Sequence, residues 1–386
     1  MNNVISIRCS RYDVVLVREK LEAALQGLGG IEQLMKPGSR VFLKVNLLTG
    51  KKPEEAVTTN PVVVEALAGL LVEAGMQVTI GDSPAGPFLP GRLKQIYHLT
   101  GMSRAAEKAG ALLNENINVV KVNYPEGLRL KDFEYLEAIQ QADHVISLCK
   151  MKTHSMTLMT GAVKNLFGTM PGLTKAALHF RFPNIEDFSH AMIDLCEYTK
   201  PVLSVMDGIE AMEGAGPSAG DVIKRDVLLV SRDPYQLDVA ACRWMGIDPD
   251  LVPLVRAAAT RQLFTGQQDT AAWQGAEPDV EAERPFKVPI IHEPDFLKRY
   301  QAVPLLGNAA EVVSNRYLRP KPKVLEDACV GCRECYVICP AQAIEMKRSQ
   351  PSFDLQKCIR CFCCQEICPE KAIVIHRSRF LKFFHS

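Results

Sequence analysis

Eight of the thirteen cysteines in this chain lie in two runs that share one spacing, Cys-x-x-Cys-x-x-Cys-x-x-x-Cys-Pro. Thiolates at this spacing bind paired [4Fe–4S] clusters, because three thiolates of a run reach neighbouring corners of one cubane and the fourth crosses to the other. The sequence therefore predicts two [4Fe–4S] clusters with exchanged ligands. The predicted ligands are Cys329, Cys332, Cys335 and Cys368 for the first cluster, and Cys339, Cys358, Cys361 and Cys364 for the second.

The two runs are copies within an internal repeat of 29 residues, which carries Cys329 onto Cys358. The same offset carries the tripeptide Ile-Cys-Pro at 338–340 onto 367–369. The segment 323–376 resembles bacterial two-cluster ferredoxins. This resemblance implies a small domain made of two half-domains that exchange one ligand each.

Zinc binding and disulfide formation are the alternative interpretations of these cysteines. Structural zinc sites usually use two separated Cys-x-x-Cys pairs, and disulfides require an oxidising compartment. Clusters fit a triple run that ends in Cys-Pro better than either alternative does. Cys363, directly before Cys364, is additional to the spacing. We interpret it as a packed free thiol, with replacement of Cys364 as a ligand as the alternative.

Composition and charge exclude several classes of partner. The 386 residues carry 45 Lys and Arg against 44 Asp and Glu, so no overall field attracts nucleic acid or anionic lipid. The start lacks a basic segment followed by an apolar run, and no run is long enough to span a bilayer. We therefore expect a cytoplasmic protein without a nucleic-acid partner or a membrane span. Four scattered cysteines suit reduced core thiols: Cys9, Cys149, Cys196 and Cys242.

Strand and helix patterns alternate along the first 318 residues, which predicts an α/β fold with a mostly parallel sheet and flanking helices. One predicted helix begins at Pro61, with Asn60 as its N-cap and Gly75 as its stop. The predicted strands are 4–8, 41–45, 76–80, 144–149, 202–206 and 227–231, and the predicted helices are 14–25, 61–74, 92–108, 184–198 and 235–245.

Three segments are predicted along the chain. The α/β domain covers 1–318, a small α+β two-cluster ferredoxin-like domain covers 319–376, and a basic, aromatic tail covers 377–386. The boundary is placed at Arg319–Lys323, because two prolines and three cations predict a stiff, solvated connector. The Pro- and Gln-rich residues 264–294 are expected to be irregular and exposed.

Polar side chains follow four of the predicted strands. Lys44 ends one strand, Asp82 follows the next, Lys150 to His154 follow a third, and Asp207 follows a fourth. Ligands of open α/β sheets bind outside the carboxyl ends of the strands. The sequence therefore predicts one polar cleft at this edge of the sheet.

The lysines of this cleft are candidates for binding a carboxylate or a phosphate. Lys150 and Lys152 project to the same side of their strand, and a bound anion would relieve the repulsion between them. The alternative for any single lysine is a solvated strand end. The candidate substrate-binding residues are Lys44, Asn46, Asn60, Lys150, Lys164 and Asn165.

Candidate catalytic residues lie in the same cleft. His154 is a candidate proton donor because imidazole titrates near neutral pH, and Lys152 stands beside it. Asp82 and Asp207 are candidates for accepting a proton or holding a cation, with helix capping or turn formation as the alternative. The glycine-rich loop 208–217 does not end in the Gly-Lys-Ser/Thr of a Walker motif, and no dinucleotide fingerprint follows the first strand. We therefore expect electrons from a protein donor.

Short motifs occupy these strand ends: KVNL at 44–47, AVTTNP at 56–61, GDSP at 81–84, KMKTH at 150–154, TGAVKNLFG at 160–168, and DG at 207–208 followed by GxGP at 214–217. Together they resemble the family called domain of unknown function 362, over residues 1–318. Members of this family often carry a C-terminal two-cluster ferredoxin segment whose second run has adjacent cysteines, as here. The resemblance implies no particular activity.

These features favour an iron–sulfur protein that relays low-potential electrons through two clusters to a small anionic substrate in the α/β domain. Whether the chain is itself an oxidoreductase stays open. One alternative is an electron-transfer adaptor whose larger domain docks a partner enzyme. The other alternative is a non-redox enzyme or assembly factor whose clusters stabilise the fold.

Overall fold

This computed structural model describes residues 4–264, 273–279, 284–289 and 320–376. The chain divides into two compact units, Met1–Pro289 and Ile290–Ser386. The strands of the first unit are β1 (Val4–Arg8), β2 (Arg40–Lys44), β3 (Gln77–Gly81), β4 (Leu112–Leu113), β5 (Val119–Asn123), β6 (Asp132–Leu136), β7 (His144–His154), β8 (Leu158–Thr160), β9 (Leu203–Glu213), β10 (Asp221–Ser231) and β11 (Trp273–Gly275).

Helices connect most of these strands. Short 3₁₀ helices lie at Pro53–Glu55, Leu166–Thr169 and Pro249–Leu251. The α-helices of the first unit are α1 (Val14–Gly27), α2 (Ile31–Leu34), α3 (Pro61–Glu73), α4 (Pro90–Leu99), α5 (Met102–Ala109), α6 (Glu137–Gln140), α7 (Ala162–Asn165), α8 (Gly172–Arg181), α9 (Ile185–Thr199), α10 (Pro234–Met245) and α11 (Pro253–Thr260).

The large sheet is mixed but mostly parallel, as the sequence predicts. Its strand order among the described residues is β11-β1-β10-β9-β7-β2-β3-β4, with β8 paired to β7. The strands β9, β7, β2, β3 and β4 run parallel to one another, whereas β10 is antiparallel to both β9 and β1, and β8 is antiparallel to β7. The strands β5 and β6 form a separate antiparallel pair.

The core lies between the sheet and its flanking helices. Leu43 of β2, Ile80 of β3 and Ile146 of β7 are fully buried in one cluster with Leu21 of α1 and Leu67 of α3. Removing each such side chain from water contributes about 1.5–3 kcal/mol to folding. Because these apolar side chains precede the strand ends, the core fixes where the following polar residues lie.

Several predicted boundaries are wrong in detail. The helix predicted at 92–108 is two helices, because Gly101 adopts a left-handed conformation with φ 77° between α4 and α5. The first half of the predicted loop 208–217 belongs to β9, which continues to Glu213. Part of the stretch predicted to be irregular at 264–294 forms β11, which pairs with β1. The rest of that stretch lies largely outside the described residues.

The second unit contains α12 (Glu334–Ile338), α13 (Cys363–Glu366) and a 3₁₀ turn at Glu326–Ala328. Its strands are β12 (Lys321–Val324), β13 (Ile344–Lys347), β14 (Gln350–Phe353) and β15 (Ile373–His376). Two antiparallel pairs form across the internal repeat, β12 with β15 and β13 with β14.

The predicted connector at Arg319–Lys323 differs from the structure. Residues 321–323 belong to β12 and pair with β15, so they are part of the small unit rather than a solvated link. The predicted domain boundary after residue 318 and the tail at 377–386 lie outside the described residues, and both stay predictions. Within the described ranges, none of the helices has the length and apolar character needed to cross a bilayer.

Candidate functional site

The sheet order brings the polar strand ends of the first unit together. The strands β9, β7, β2 and β3 are consecutive neighbours and run parallel, so their carboxyl ends meet at one edge. Lys44 ends β2 and Asp82 directly follows β3, whereas Lys150 and Asp207 are register partners within β7 and β9, which continue to His154 and Glu213. All four side chains are buried. The structure therefore assembles one polar cluster from the candidate residues.

Lys44 and Asp82 form the first ion pair of this cluster. The Lys44 Nζ lies 2.7 Å from the Asp82 Oδ1 and donates to the Val45 carbonyl at 2.7 Å. The other carboxylate oxygen of Asp82 accepts from the Leu47 amide at 2.7 Å. Burial lowers the pKa of Lys44, and the neighbouring Asp82 opposes that shift. The paired carboxylate therefore helps to keep this buried lysine charged.

Lys150 and Asp207 form the second ion pair, with Tyr12 as a third member. The Lys150 Nζ donates to the Asp207 Oδ2 and to the Tyr12 hydroxyl oxygen, both at 2.8 Å. Tyr12 donates its own hydroxyl proton to the Asp207 Oδ1 at 2.9 Å. Burial, followed by the charge of Asp207, raises the pKa of Tyr12 well above its ordinary value. Tyr12 lies far upstream in the sequence, and no local motif marks it.

Two asparagines connect the lysines of β2 and β7. The Lys152 Nζ donates to the Asn46 Oδ1 at 2.8 Å and to the Val57 carbonyl at 2.6 Å. The Asn46 Nδ2 donates to the Asn165 Oδ1 at 3.2 Å, and that oxygen also accepts from Lys44 at 3.4 Å. Both asparagines therefore present oxygen to ammonium groups, which fixes the orientation of their amides.

This geometry changes the interpretation of Lys150. From the sequence, a bound anion is predicted to relieve the repulsion between Lys150 and Lys152. In the structure, Asp207 carries the negative charge beside Lys150. Asn60 has two roles in the same place: its side chain caps α3 through the Val62 amide at 3.0 Å, and its backbone amide donates to Asp207 at 2.9 Å. The substrate-binding roles of these residues stay predictions.

His154 lies at the tight turn between β7 and β8. Its Nδ1 accepts from the backbone amides of Met156 at 3.1 Å and Thr157 at 3.4 Å. A ring nitrogen that accepts carries no proton, so neutral His154 holds its proton on Nε2. The ring is buried. Lys164 is also buried, with its ammonium 5.4 Å from the ring centroid of Phe167.

The structure adds Lys175 of α8, which the sequence analysis missed. Its Nζ donates to the Ser83 carbonyl at 2.6 Å and hydroxyl at 3.0 Å, and to the carbonyls of Pro84 and Met170 at 3.2 Å each. Burial lowers the pKa of Lys175 to about 7. The sequence analysis identified the Gly-Asp-Ser-Pro motif that Lys175 contacts. Nothing in the sequence of α8 marks the lysine itself.

Asp238 of α10 is a second residue that the sequence analysis missed. Its carboxylate accepts from the backbone amides of Ala162 at 2.6 Å and Val163 at 3.2 Å, at the start of α7. Burial raises its pKa to about 7, although these two amides oppose the shift. A Cβ on Gly161 would lie 2.1 Å from this carboxylate, so the Thr-Gly-Ala-Val-Lys-Asn motif requires glycine here.

The cysteines of the second unit surround two cavities. The first cavity has about 350 Å³, which includes space open to solvent, and the second has about 360 Å³. Besides cysteines, Gly331, Arg333 and Met346 line the first, and Ile344 and Phe353 line the second. The cysteines of the first cavity are Cys329, Cys332, Cys335 and Cys368, and those of the second are Cys339, Cys358, Cys361, Cys363 and Cys364.

The thiols of the first cavity interact across the repeat. Burial, followed by the nearby thiols of Cys332, Cys368 and Cys329, raises the pKa of Cys335 to about 11. Cys368 belongs to the second run in sequence but faces the first cavity. Soft thiolates around a common cavity suit a [4Fe–4S] cluster, in which each iron takes one cysteine sulfur.

The backbone around both cavities repeats with the same 29-residue offset. Positive φ angles occur in pairs at Gly331 and Arg360, at Arg333 and Phe362, and at Gln342 and Lys371. Non-glycine residues rarely adopt this conformation. The first two pairs place it on both sides of Cys332 and on both sides of Cys361.

Backbone amides also reach two of the sulfurs at equivalent positions. The Ala343 amide donates to the Cys339 sulfur, and the Ala372 amide donates to the Cys368 sulfur, both at 3.3 Å. Hydrogen bonds to ligand sulfurs are among the features that set cluster potentials. The two sulfurs that they reach belong to the predicted exchanged ligands.

Comparisons with known proteins match both units. The family described as domain of unknown function (DUF362) matches residues 41–243, and the 4Fe-4S dicluster domain matches residues 321–369. A thylakoid-associated protein from Synechocystis sp. is 35% identical over 281 residues, which are 70% of this chain and 82% of that protein. The lactate racemase apoprotein from Thermoanaerobacterium thermosaccharolyticum aligns with a TM-score of 0.40 and 13% identity, over 62% of this chain and 56% of that chain.

An α/β unit followed by a dicluster ferredoxin-type unit defines an iron–sulfur protein. The chain belongs to the family called domain of unknown function 362. This family is uncharacterised and supplies no substrate.

Proposed function

We propose that this protein relays low-potential electrons through two [4Fe–4S] clusters to a small anionic substrate bound in the α/β unit. A protein donor or acceptor exchanges electrons with the clusters, which supply one-electron chemistry when bound. In this proposal Cys329, Cys332, Cys335 and Cys368 hold the first cluster, and Cys339, Cys358, Cys361 and Cys364 hold the second.

The observation that carries the proposal is the grouping of thiols around two cavities. Each cavity is lined by the four cysteines that the spacing assigns to it, including the one from the other run. The match to a 4Fe-4S dicluster domain independently supports iron–sulfur clusters. A zinc or disulfide framework gives no reason for this exchange of one cysteine per run.

The substrate roles belong to the polar strand ends of the α/β unit. Lys152, Lys150 and Lys164 bind an anionic group, and His154 donates a proton from Nε2. Two backbone amides donate to Nδ1, so the neutral ring presents its single proton on Nε2 as a hydrogen-bond donor to the anionic group. Lys44 and Asn60 complete the binding set, and Asn46 and Asn165 orient it. Asp82 and Asp207 pair with Lys44 and Lys150 and stand as proton acceptors.

The first test measures iron and acid-labile sulfide in anaerobically purified full chain. The proposal expects both, together with reversible bleaching of the visible absorption by dithionite. Protein that holds zinc alone, or neither iron nor sulfide, would overturn it. Clusters that dithionite cannot reduce would instead support a structural role.

The second test follows reoxidation of the reduced clusters by a panel of small carboxylates and phosphate esters. Lys152→Met and His154→Gln should abolish reoxidation by an active acceptor while the absorption of the clusters stays intact. Lys200→Met is the matched control, because Lys200 is exposed beyond the end of α9. Undiminished reoxidation in the first two variants would end the assignment.

An electron-transfer adaptor without chemistry of its own is the second candidate function. The specific observation in its favour is that Lys44 with Asp82, and Lys150 with Asp207, are buried ion pairs already matched within the protein. An adaptor would retain a redox partner protein on an affinity column, and deletion of 377–386 tests whether the basic tail contributes. A full chain that retains no partner removes this candidate's support.

We also propose that the protein works in a reducing, cytoplasmic compartment. The buried thiols Cys9, Cys149, Cys196 and Cys242 are free in the structure, which suits such a compartment. The relative named as thylakoid-associated makes peripheral attachment to a membrane the alternative. Recovery in the membrane fraction after lysis at low salt, with release by a salt wash, would favour that alternative.

A further inference from the structure

Residues beside the first cavity are more exposed than their equivalents beside the second. Cys332 is the one exposed residue among the eight predicted ligands, all of which the structure describes, and its equivalent Cys361 is half-buried. Val330 lines the first cavity and is 66% exposed, whereas Ile359, at the equivalent position of the second cavity, is half-buried. The first cavity therefore has an open side that the second lacks at the same place in the repeat.

Helices α12 and α13 are equivalent in the repeat and differ in the same direction. All four residues of α13 are buried, and among them are the polar Gln365 and Glu366. The equivalent residues of α12 are apolar, yet Tyr336 is 52% exposed and Val337 is 48% exposed. Buried polar residues and exposed apolar residues reverse the usual distribution. Exposed apolar residues that lie together mark surfaces that bind other proteins.

We propose that a redox protein exchanges electrons with the cluster of the first cavity, and that the second cluster receives electrons only through the first. This inference rests on the proposed presence of two clusters. Each transfer moves one electron: the partner is oxidised, the first cluster is reduced and is then reoxidised by the second, and no bond forms or breaks. The apolar surface of Val330, Tyr336 and Val337 lets the partner approach the first cavity closely, and the buried α13 leaves no such surface at the second.

The first experiment places a charge beside the first cavity. Val330→Glu and Val330→Lys are purified anaerobically as full chains, and their iron and sulfide contents are measured. Stopped-flow absorption then follows reduction of the clusters by dithionite, whose reactive species is an anion. At low salt, Val330→Glu should slow the reduction of both clusters about two- to threefold, and Val330→Lys should speed it by a similar factor, because the added charge repels or attracts the anion. Both effects should disappear at about 1 M salt.

Leu355→Glu is the matched control, because Leu355 is an exposed apolar residue of the second copy. It should leave the rate of reduction unchanged. The proposal would be overturned if Leu355→Glu slowed reduction as much as Val330→Glu does. It would also be overturned if the rate did not respond to either charge at position 330. The two opposite charges at one position keep the test decisive if one variant fails to assemble its clusters.

A second measurement does not depend on electron transfer. Bathophenanthroline disulfonate, a charged iron chelator, is added to the wild-type protein, and the thiols that lose iron are alkylated with iodoacetamide and located by mass spectrometry. Cys332 should be alkylated several-fold faster than Cys361, and equal rates would contradict the open side of the first cavity. Wild-type protein purified without iron would instead contradict the proposed function, which separates the two failures.

Discussion

The Asp207 carboxylate combines several structural roles in one side chain. It accepts from Lys150 at 2.8 Å, from Tyr12 and the Asn60 amide at 2.9 Å, and from the Ile209 amide at 3.3 Å. It is fully buried, so none of these donors can exchange it for water. Asp207 thereby connects β9 to β7, to α3 and to the segment before α1.

Replacing Asp207 by Asn should strongly destabilise the protein. The substitution leaves the Lys150 ammonium buried without a matching charge, and breaking a buried pair in this way costs about 3–5 kcal/mol. Urea unfolding of the full chain, followed by far-ultraviolet circular dichroism, measures the loss. Asp143→Asn is the control, because Asp143 pairs with Arg40 on the exposed surface and its loss should matter much less. Equal losses in the two variants would contradict the structural role of Asp207.

Asp238 should make stability depend on pH. Burial raises its pKa to about 7 from 3.8, so the folded protein binds the proton more tightly than the unfolded chain does. Its contribution is therefore largest at low pH and falls as pH rises from about 4 to about 7, by at most about 4 kcal/mol.

The matched variant for this effect is Asp238→Asn, which keeps an oxygen acceptor for the Ala162 amide but does not titrate. Relative to the variant, the wild type should lose unfolding free energy as pH rises from 5 to 7.5. Urea unfolding at several pH values measures it. A difference that is constant over this range would refute the raised pKa.

At the level of elements, most strands were predictable, but the partners of their polar residues were not. The ends of β7 and β9 were also missed, since both strands continue past the predicted ends at 149 and 206. Alternating patterns located the strands, and the rule that parallel strands share a carboxyl edge brought Lys44, Asp82, Lys150 and Asp207 together. The pairing depends on contacts between residues that are distant in sequence. The Tyr12 hydroxyl reaches Asp207 across 195 positions, which no local pattern encodes.

The predicted boundaries of one helix and of the connector are also wrong, because the local sequence pattern does not show where the backbone turns or which strand a segment pairs with. The apolar period of 92–108 continues across Gly101, and only the left-handed turn there separates α4 from α5. Lys321–Val324 carries two signals of a linker, proline and cations, but pairing with β15 makes it a strand. In contrast, the cysteine spacing predicted the lining of both cavities, because cluster ligands constrain the sequence locally.

The 3₁₀ helix after α7 should not tolerate a side chain at Gly168. A Cβ there would lie 1.9 Å from the Asp82 Oδ1 and 2.6 Å from the Lys44 Nζ. Gly168→Ala should therefore displace the buried ion pair and cost about 3 kcal/mol or more in unfolding free energy. Denaturant unfolding monitored by circular dichroism is the measurement.

Gly91→Ala provides the control for that substitution. Gly91 lies in α4, and a Cβ there meets nothing within 4 Å. Alanine should be neutral or stabilise the helix by about 0.5–1 kcal/mol. If Gly168→Ala proved equally harmless, the close packing of the 3₁₀ helix against Lys44 and Asp82 would be wrong.

At the scale of the whole chain, the small unit is built by duplication. The 29-residue offset carries β12 onto β14 and β13 onto β15, so each antiparallel pair joins one strand from each copy. Neither copy can pair its own strands in this arrangement. The exchange of cysteines between the copies follows the exchange of strands, which links folding of the unit to assembly of both predicted clusters.

The exchange predicts which pairs of cysteine substitutions remove one cluster and which remove two. Cys332 and Cys368 line the same cavity although they belong to different runs, whereas Cys332 and Cys339 belong to one run but line different cavities. Cys332→Ala with Cys368→Ala should remove about half of the iron. Cys332→Ala with Cys339→Ala should remove nearly all of it, because each cluster then lacks a ligand. Ligation of each cluster by its own run would reverse the two results, so iron and sulfide analysis of anaerobically purified variants decides between exchanged and unexchanged ligands.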